Sequence, residues 1–139
     1  QIGNPITQKM VMDVLLEVRD KGWLHAVTDC GAGGLSSAVG EMAADIGARI
    51  DLALSPLKYP GLSPWEVWVS EAQERMVLAV SPERGPDVLA AFAAEDVEAV
   101  RLGTFTDDHQ LVLTWKDEVV GALDLEFLHH GLPRQPRQA

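Results

Sequence analysis

Two stretches of this 139-residue chain carry side chains that can do chemistry. The first is His25-Ala26-Val27-Thr28-Asp29-Cys30-Gly31-Ala32-Gly33-Gly34-Leu35-Ser36-Ser37. A short apolar run ends in an acid, and Gly31, Gly33 and Gly34 lead into what reads as a helix. Glycines this dense let the backbone come close to something, because no Cβ stands in the way. The second stretch is Ser70-Glu71-Ala72-Gln73-Glu74-Arg75-Met76. Glu71, Gln73, Glu74 and Arg75 offer donors, acceptors and charge of both signs within a few residues. That mixture suits a polar small molecule bearing sugar or phosphate, although a solvated loop with Arg75 in a surface ion pair has the same composition.

The glycine run has three readings. It can be a tight turn that only brings a strand and a helix together. It can be a nucleotide-type loop, since Asp-x-Gly-x-Gly-Gly after a strand resembles the first motif of S-adenosylmethionine-dependent methyltransferases. Those enzymes also place an acid at the end of the next strand, about 20 residues on, and Asp51 sits near that distance. Against it, Asp51 is expected inside or at the start of its strand, and the rest of the chain is too short and too antiparallel for a doubly wound sheet. The third reading joins the glycine run to the polar run as one site.

The elements that must position these residues follow from period and punctuation. Asn4-Pro5 is a helix start, Met10, Val11, Val14, Leu15 and Val18 recur at helical spacing, and Gly22 is the stop. Leu24 to Thr28 reads as a buried strand and Leu35 to Ala44 as a helix. Ala48 to Leu54 reads as a strand. Ser63-Pro64-x-Glu66 signs a helix over Pro64 to Val69. A strand lies within Glu74 to Val80 and a helix over Pro86 to Ala94. Val100 to Phe105, Gln110 to Trp115 and Val119 to Leu123 read as strands, the last two joined by a turn near Lys116-Asp117-Glu118. This mixed order closing on a hairpin predicts an α+β fold, a mixed β-sheet flanked by helices.

Composition excludes other classes. The hydrophobic fraction of 47% and charged fraction of 23% are those of a globular domain. A net charge of −10 opposes unspecific binding to nucleic acid or to an anionic membrane. No apolar run has a spanning helix's length. The single cysteine, Cys30, forbids an internal disulfide and suits a reducing, cytoplasmic setting. Gln1 is not an initiator Met and residues 129–139 read as a linker, so the chain is expected to be one α+β domain (1–128) of a longer protein.

Asp29-Cys30-Gly31-Ala32-Gly33-Gly34-Leu35-Ser36 followed by Glu41-Met42-Ala43 resembles the Asp-x-Gly-Ala-Gly-Gly-Leu-(Ser)…Glu-Met-Ala signature of the phosphoribosylformylglycinamidine synthase family. Ser70 to Met76 resembles that family's Ser-Glu-Ser-Gln-Glu-Arg-Met. Gln1-Ile2-Gly3-Asn4-Pro5 resembles its Gln-Val-Gly-Asp-Pro, and Leu128-His129-His130-Gly131-Leu132-Pro133 its lead into the next domain. The glutamate-rich run separates the chain from related selenophosphate and hydrogenase-maturation synthetases.

The resemblance implies the first C-terminal-type domain of an aminoimidazole ribonucleotide synthetase-like protein. The whole enzyme would use ATP to activate the formyl amide oxygen of formylglycinamide ribonucleotide. Ammonia, delivered by a glutaminase subunit or domain, would then displace phosphate. By the same resemblance Asp29 would bind Mg²⁺, which suits a hard carboxylate beside phosphates. Gln1, Glu71, Ala72 and Gln73 would contact substrate, with Ala72 lacking the hydroxyl of the usual Ser. Gly31, Gly33 and Gly34 are phosphate-loop candidates. No catalytic residue is expected in this chain, because the family's catalytic histidines and ATP-gripping lysine belong to an N-terminal ATP-binding domain. His25, His109, His129 and His130 are expected to be structural or solvated. The domain alone is expected to be inactive. A stand-alone binding module of the same superfamily is the alternative.

Overall fold

The computed structural model describes residues 5–57, 60–71 and 75–132. Gln1, Asn4, Ala72, Gln73 and Glu74 lie outside the described residues.

Helix α1 (Pro5–Asp20) buries Val14, Leu15 and Val18. They meet Val88 and Phe92 of helix α4 (Gly85–Ala94) in one hydrophobic core. The helix ends where expected: Gly22 has φ +70°, its N–H reaches the Arg19 carbonyl, and Trp23 N–H reaches that of Val18. This is the Schellman geometry, which a left-handed glycine favours.

Strands β1 (Leu24–Asp29) and β3 (Met76–Val80) form an antiparallel ribbon, from Leu24 opposite Val80 to Asp29 opposite Met76. The side-chain period of two makes this ribbon a wall between two cores. Met76, Leu78 and Val80 pack on the α1–α4 core, and Val77 packs on the other.

The second sheet has the order β4-β2-β5-β6: β4 (Gly103–Phe105), β2 (Ala48–Asp51), β5 (Gln110–Trp115) and β6 (Glu118–Asp124). β2 and β5 are parallel and the other pairs antiparallel, so the expected mixed sheet is present. Lys116 and Asp117, at φ +50° and +70°, make the two-residue turn of the β5–β6 hairpin. Two left-handed residues in succession match strand twist there. Ile50, Leu52, Leu111 and Leu113 pack with Leu35, Ala38 and Val39 of helix α2 (Leu35–Met42) and Val67 and Trp68 of helix α3 (Pro64–Val69).

The structure corrects three expectations. β1 and β3 stand apart from the mixed sheet as their own ribbon. The strand from Ala48 stops at Asp51, whose carboxylate accepts from Ala53 N–H (3.0 Å) and Lys116 N–H (3.3 Å). That capping turns residues 52–54 into a 3₁₀ turn. Asp51 therefore closes its strand, neither starting it nor lying inside it. Lastly, helix α5 (Leu125–His130) was not foreseen. Asp124 caps it by accepting from Phe127 N–H at 2.8 Å, and Leu125 is fully buried in the core. The helix runs two residues into the stretch read as linker.

Candidate functional site

Asp29 ends β1 on the surface, paired with Met76 at the end of the ribbon. The ladder continues one step further, with Cys30 N–H donating to the Arg75 carbonyl at 2.9 Å. The two sequence motifs thus leave the ribbon side by side. Distance along the chain hides this neighbourhood, and the β1–β3 pairing creates it.

The glycine run then folds on itself. Gly34 N–H donates to the Gly31 carbonyl at 2.9 Å, and Gly33 and Gly34 have φ +83° and +58°. The Ser36 hydroxyl donates to the Gly33 carbonyl (2.6 Å) and that of Ser37 to the Ala32 carbonyl (2.7 Å). The loop carbonyls are tied down by serines two to five residues on, which fixes the entry to α2.

What the glycine backbone approaches is the second motif. A Cβ on Gly34 would lie 2.0 Å from the Ser70 carbonyl oxygen. One residue on, the Glu71 carboxylate accepts from Gly33 N–H at 3.0 Å. The Arg75 guanidinium donates to the same Ser70 carbonyl. Ser70, Glu71 and Arg75 therefore clasp the glycine turn from one side, and the third reading of the run, one joined site, describes this geometry.

Of the sequence-predicted residues, the structure brings together Asp29, Gly31, Gly33, Gly34 and Glu71. Gln1, Ala72 and Gln73 lie outside the described residues. The N–H groups of Gly33 and Gly34 both have acceptors within the chain. Arg75 does more than form a surface ion pair, and its grip on Ser70 had no signal beyond its place in the motif.

Cys30 is buried just behind Asp29. Burial pushes its thiol up; the Arg75 guanidinium opposes this and the Asp29 carboxylate adds to it. The thiol is therefore not a ready thiolate nucleophile. His25 bonds Ser81 Oγ at 2.7 Å, outside this cluster.

Asp29 and Glu71 are both exposed carboxylates. Among the described residues no three His, Cys, Asp or Glu side chains converge as a metal site. The donor set still fits Mg²⁺ in one way: this cation takes one or two carboxylates and fills its other positions with water and phosphate oxygens. Among the described residues no helix is long and apolar enough to cross a membrane. The methyltransferase reading fails on topology. β1 pairs with β3, β2 lies in the other sheet, and the Asp51 carboxylate is held by two backbone N–H groups.

Comparison with known proteins agrees with this clasp. The PurL subunit of phosphoribosylformylglycinamidine synthase from Thermomicrobium roseum is 40% identical over 141 residues, covering 100% of this chain and 19% of that protein. Its Rhodospirillum rubrum counterpart is 37% identical over 139 residues, 99% of this chain and 19% of its own length. Thermotoga maritima PurL complexed with FGAR superposes with a TM-score of 0.88 at 26% identity, over all of this chain and 24% of that one. The same protein complexed with ATP gives 0.87 at 28% identity, over 92% of this chain and 22% of that one. The chain thus spans about a fifth of the curated relatives it matches. The model of the family "AIR synthase related protein, C-terminal domain" matches residues 1–116, and the chain belongs to that family.

Proposed function

We propose that this chain is the part of a phosphoribosylformylglycinamidine synthase that presents one wall of the active-site cleft. The observation that carries the reading is identity of 37–40% along the chain's whole length to synthase subunits. The clasp adds support, because it joins the two motifs that carry the resemblance.

In this reading the enzyme transfers the γ-phosphoryl group of ATP to the formyl amide oxygen of formylglycinamide ribonucleotide. Ammonia then adds at that carbon, and the oxygen departs as phosphate. Gln1, Glu71, Ala72 and Gln73 bind the ribonucleotide, and the turn of Gly31, Gly33 and Gly34 lies against the phosphate-bearing side. Asp29 would hold Mg²⁺, which neutralises phosphate charge and orients it for transfer. An N-terminal ATP-binding domain supplies the nucleotide grip and the catalytic groups. A glutaminase subunit or domain supplies ammonia, and all of this takes place in the cytoplasm. Residues 1–128 act as the domain and residues 129–139 lead onward.

The test is a chimera. This chain replaces the matching fifth of the Rhodospirillum rubrum subunit, and formylglycinamidine ribonucleotide and ADP are measured. Turnover is the expected result. A folded chimera that binds ATP but makes no product defeats the reading, as does any turnover by the 139-residue chain alone. In the active chimera Asp29→Asn lowers kcat/KM at least about tenfold, the usual minimum even for losing a group behind a metal ligand, and raised Mg²⁺ restores part of it. Unchanged kinetics would remove Asp29 from the metal.

A further inference from the structure

We propose that Glu71 is a positioning residue: its carboxylate acts through Gly33, fastening the glycine turn to the polar run and so fixing the distance from Asp29 to the substrate-binding residues. This rests on the synthase reading and assigns Glu71 a different task from direct contact with substrate.

Three contacts run between the two motifs, and they differ in kind. Cys30 N–H to the Arg75 carbonyl, at 2.9 Å, is a ladder bond extending the ribbon. Gly34 against Ser70 is a steric fit, with no room for a Cβ. Neither involves a side chain that chemistry could move. The third is Glu71 Oε1 on Gly33 N–H at 3.0 Å, between residues 38 positions apart. It is the one side-chain tie among these three, and it is charge-assisted, the stronger class of hydrogen bond.

Its place gives it leverage. Gly33 and Gly34 are consecutive left-handed residues, a backbone state that the rest of the loop must hold. Ser36 and Ser37 hold the loop's carbonyls from the helix side. Glu71 holds Gly33 N–H from the side of the polar run. Asp29 lies four residues before Gly33, and Gln73 lies two after Glu71. Releasing the tie lets the metal-side and substrate-side halves move relative to each other. Reacting groups need to be held in place, and small displacements at a site are costly in rate.

A positioning role makes a prediction that substrate contact does not. An amide oxygen accepts the Gly33 N–H as a carboxylate does, so Glu71→Gln keeps the tie and Glu71→Ala loses it. In the full-length synthase carrying this chain, Glu71→Ala should raise the KM for formylglycinamide ribonucleotide and the Mg²⁺ needed for half-maximal rate together. Each should rise about tenfold, as for loss of a charged hydrogen bond. Glu71→Gln should stay within about threefold of the unmutated enzyme, the weaker neutral acceptor accounting for the difference.

A second readout is independent of turnover. Hydrogen exchange by mass spectrometry on the peptide spanning Gly31 to Gly34 should quicken in Glu71→Ala and remain near the unmutated rate in Glu71→Gln. The proposal is overturned if exchange there is unchanged in Glu71→Ala. It is equally overturned if Gln and Ala lose activity alike, because the charge would then act on the ligand directly. An unmutated enzyme without synthase activity would defeat the functional reading, and the exchange comparison would still decide the tie.

Discussion

The two ends of helix α3 each carry a glutamate that accepts from a backbone N–H, and they could hardly differ more. At the N-terminal end Glu66 turns back on its own helix. The Ser63 N–H and hydroxyl both donate to its carboxylate, at 2.7 and 2.6 Å. Just past the C-terminal end, Glu71 reaches Gly33, 38 residues away. The first bond spans three residues and builds a helix cap. The second spans a fold and joins two motifs. Local bonds of the first kind serve the element, and long-range ones of the second kind serve the site.

The sharpest way to break the long-range end is Gly34→Ala. The new Cβ would meet the Ser70 carbonyl at 2.0 Å, and the residue sits at φ +58°. Backbone cannot yield as a flexible side chain can, so the clasp must open or the turn must refold. The expected cost is about 3 kcal/mol or more, combining overpacking and left-handed strain. In thermal unfolding of the chain that should lower the midpoint by roughly 10 °C. A midpoint within about 2 °C of the unmutated chain would mean that Ser70 does not seat against Gly34, and the clasp would have to be redrawn.

The local end should be milder. Ser63→Ala removes one of two donors to Glu66 and leaves the backbone N–H in place. Helix α3 is short, with Val67 and Trp68 buried in the core, so packing retains it. The midpoint should fall by about 3 °C, the effect of losing one capping interaction in a domain of this size. A fall as large as that for Gly34→Ala would erase the distinction between the two ends.

The same contrast explains what could be read from sequence. The Ser63-Pro64-x-Glu66 cap, the Gly22 stop and the Lys116-Asp117 turn are local, and each stands where its residues imply. Asp124 had the same capping chemistry, with Glu126 in the first turn and His129 and His130 in the last, but only six helical residues follow, too few to show a period. Asp51 stops β2 because a residue 65 positions away brings its N–H within reach, and no local pattern records that. For the site, types and order were legible: an acid, three glycines, a polar run. That Gly33 meets Glu71, and that Gly34 is a glycine because of Ser70, depends on β1 pairing with β3, which the strands' own residues do not specify. Any two amphipathic strands have many registers open to them, and packing between the two cores selects this one.

The smallest effect is also the cleanest test of the local end, because it changes with pH in a known direction. The Ser63 hydroxyl, and after it the Ser63 backbone N–H, hold the Glu66 carboxyl below its ordinary value of 4.5. A carboxylate depressed in the folded state adds stability that is present above the unfolded value and is lost as pH falls through the folded one. The difference in stability between the unmutated chain and Ser63→Ala should therefore be flat from pH 7 to about 5 and shrink below about 4.5 as Glu66 takes up its proton. Denaturant midpoints of the two chains between pH 3 and 7 measure it. A gap that stays constant across the range would mean that Ser63 contributes through packing or helix entry, with no share in the Glu66 charge. A gap that closes at the acid end would mark the N-terminal glutamate as a titrating cap.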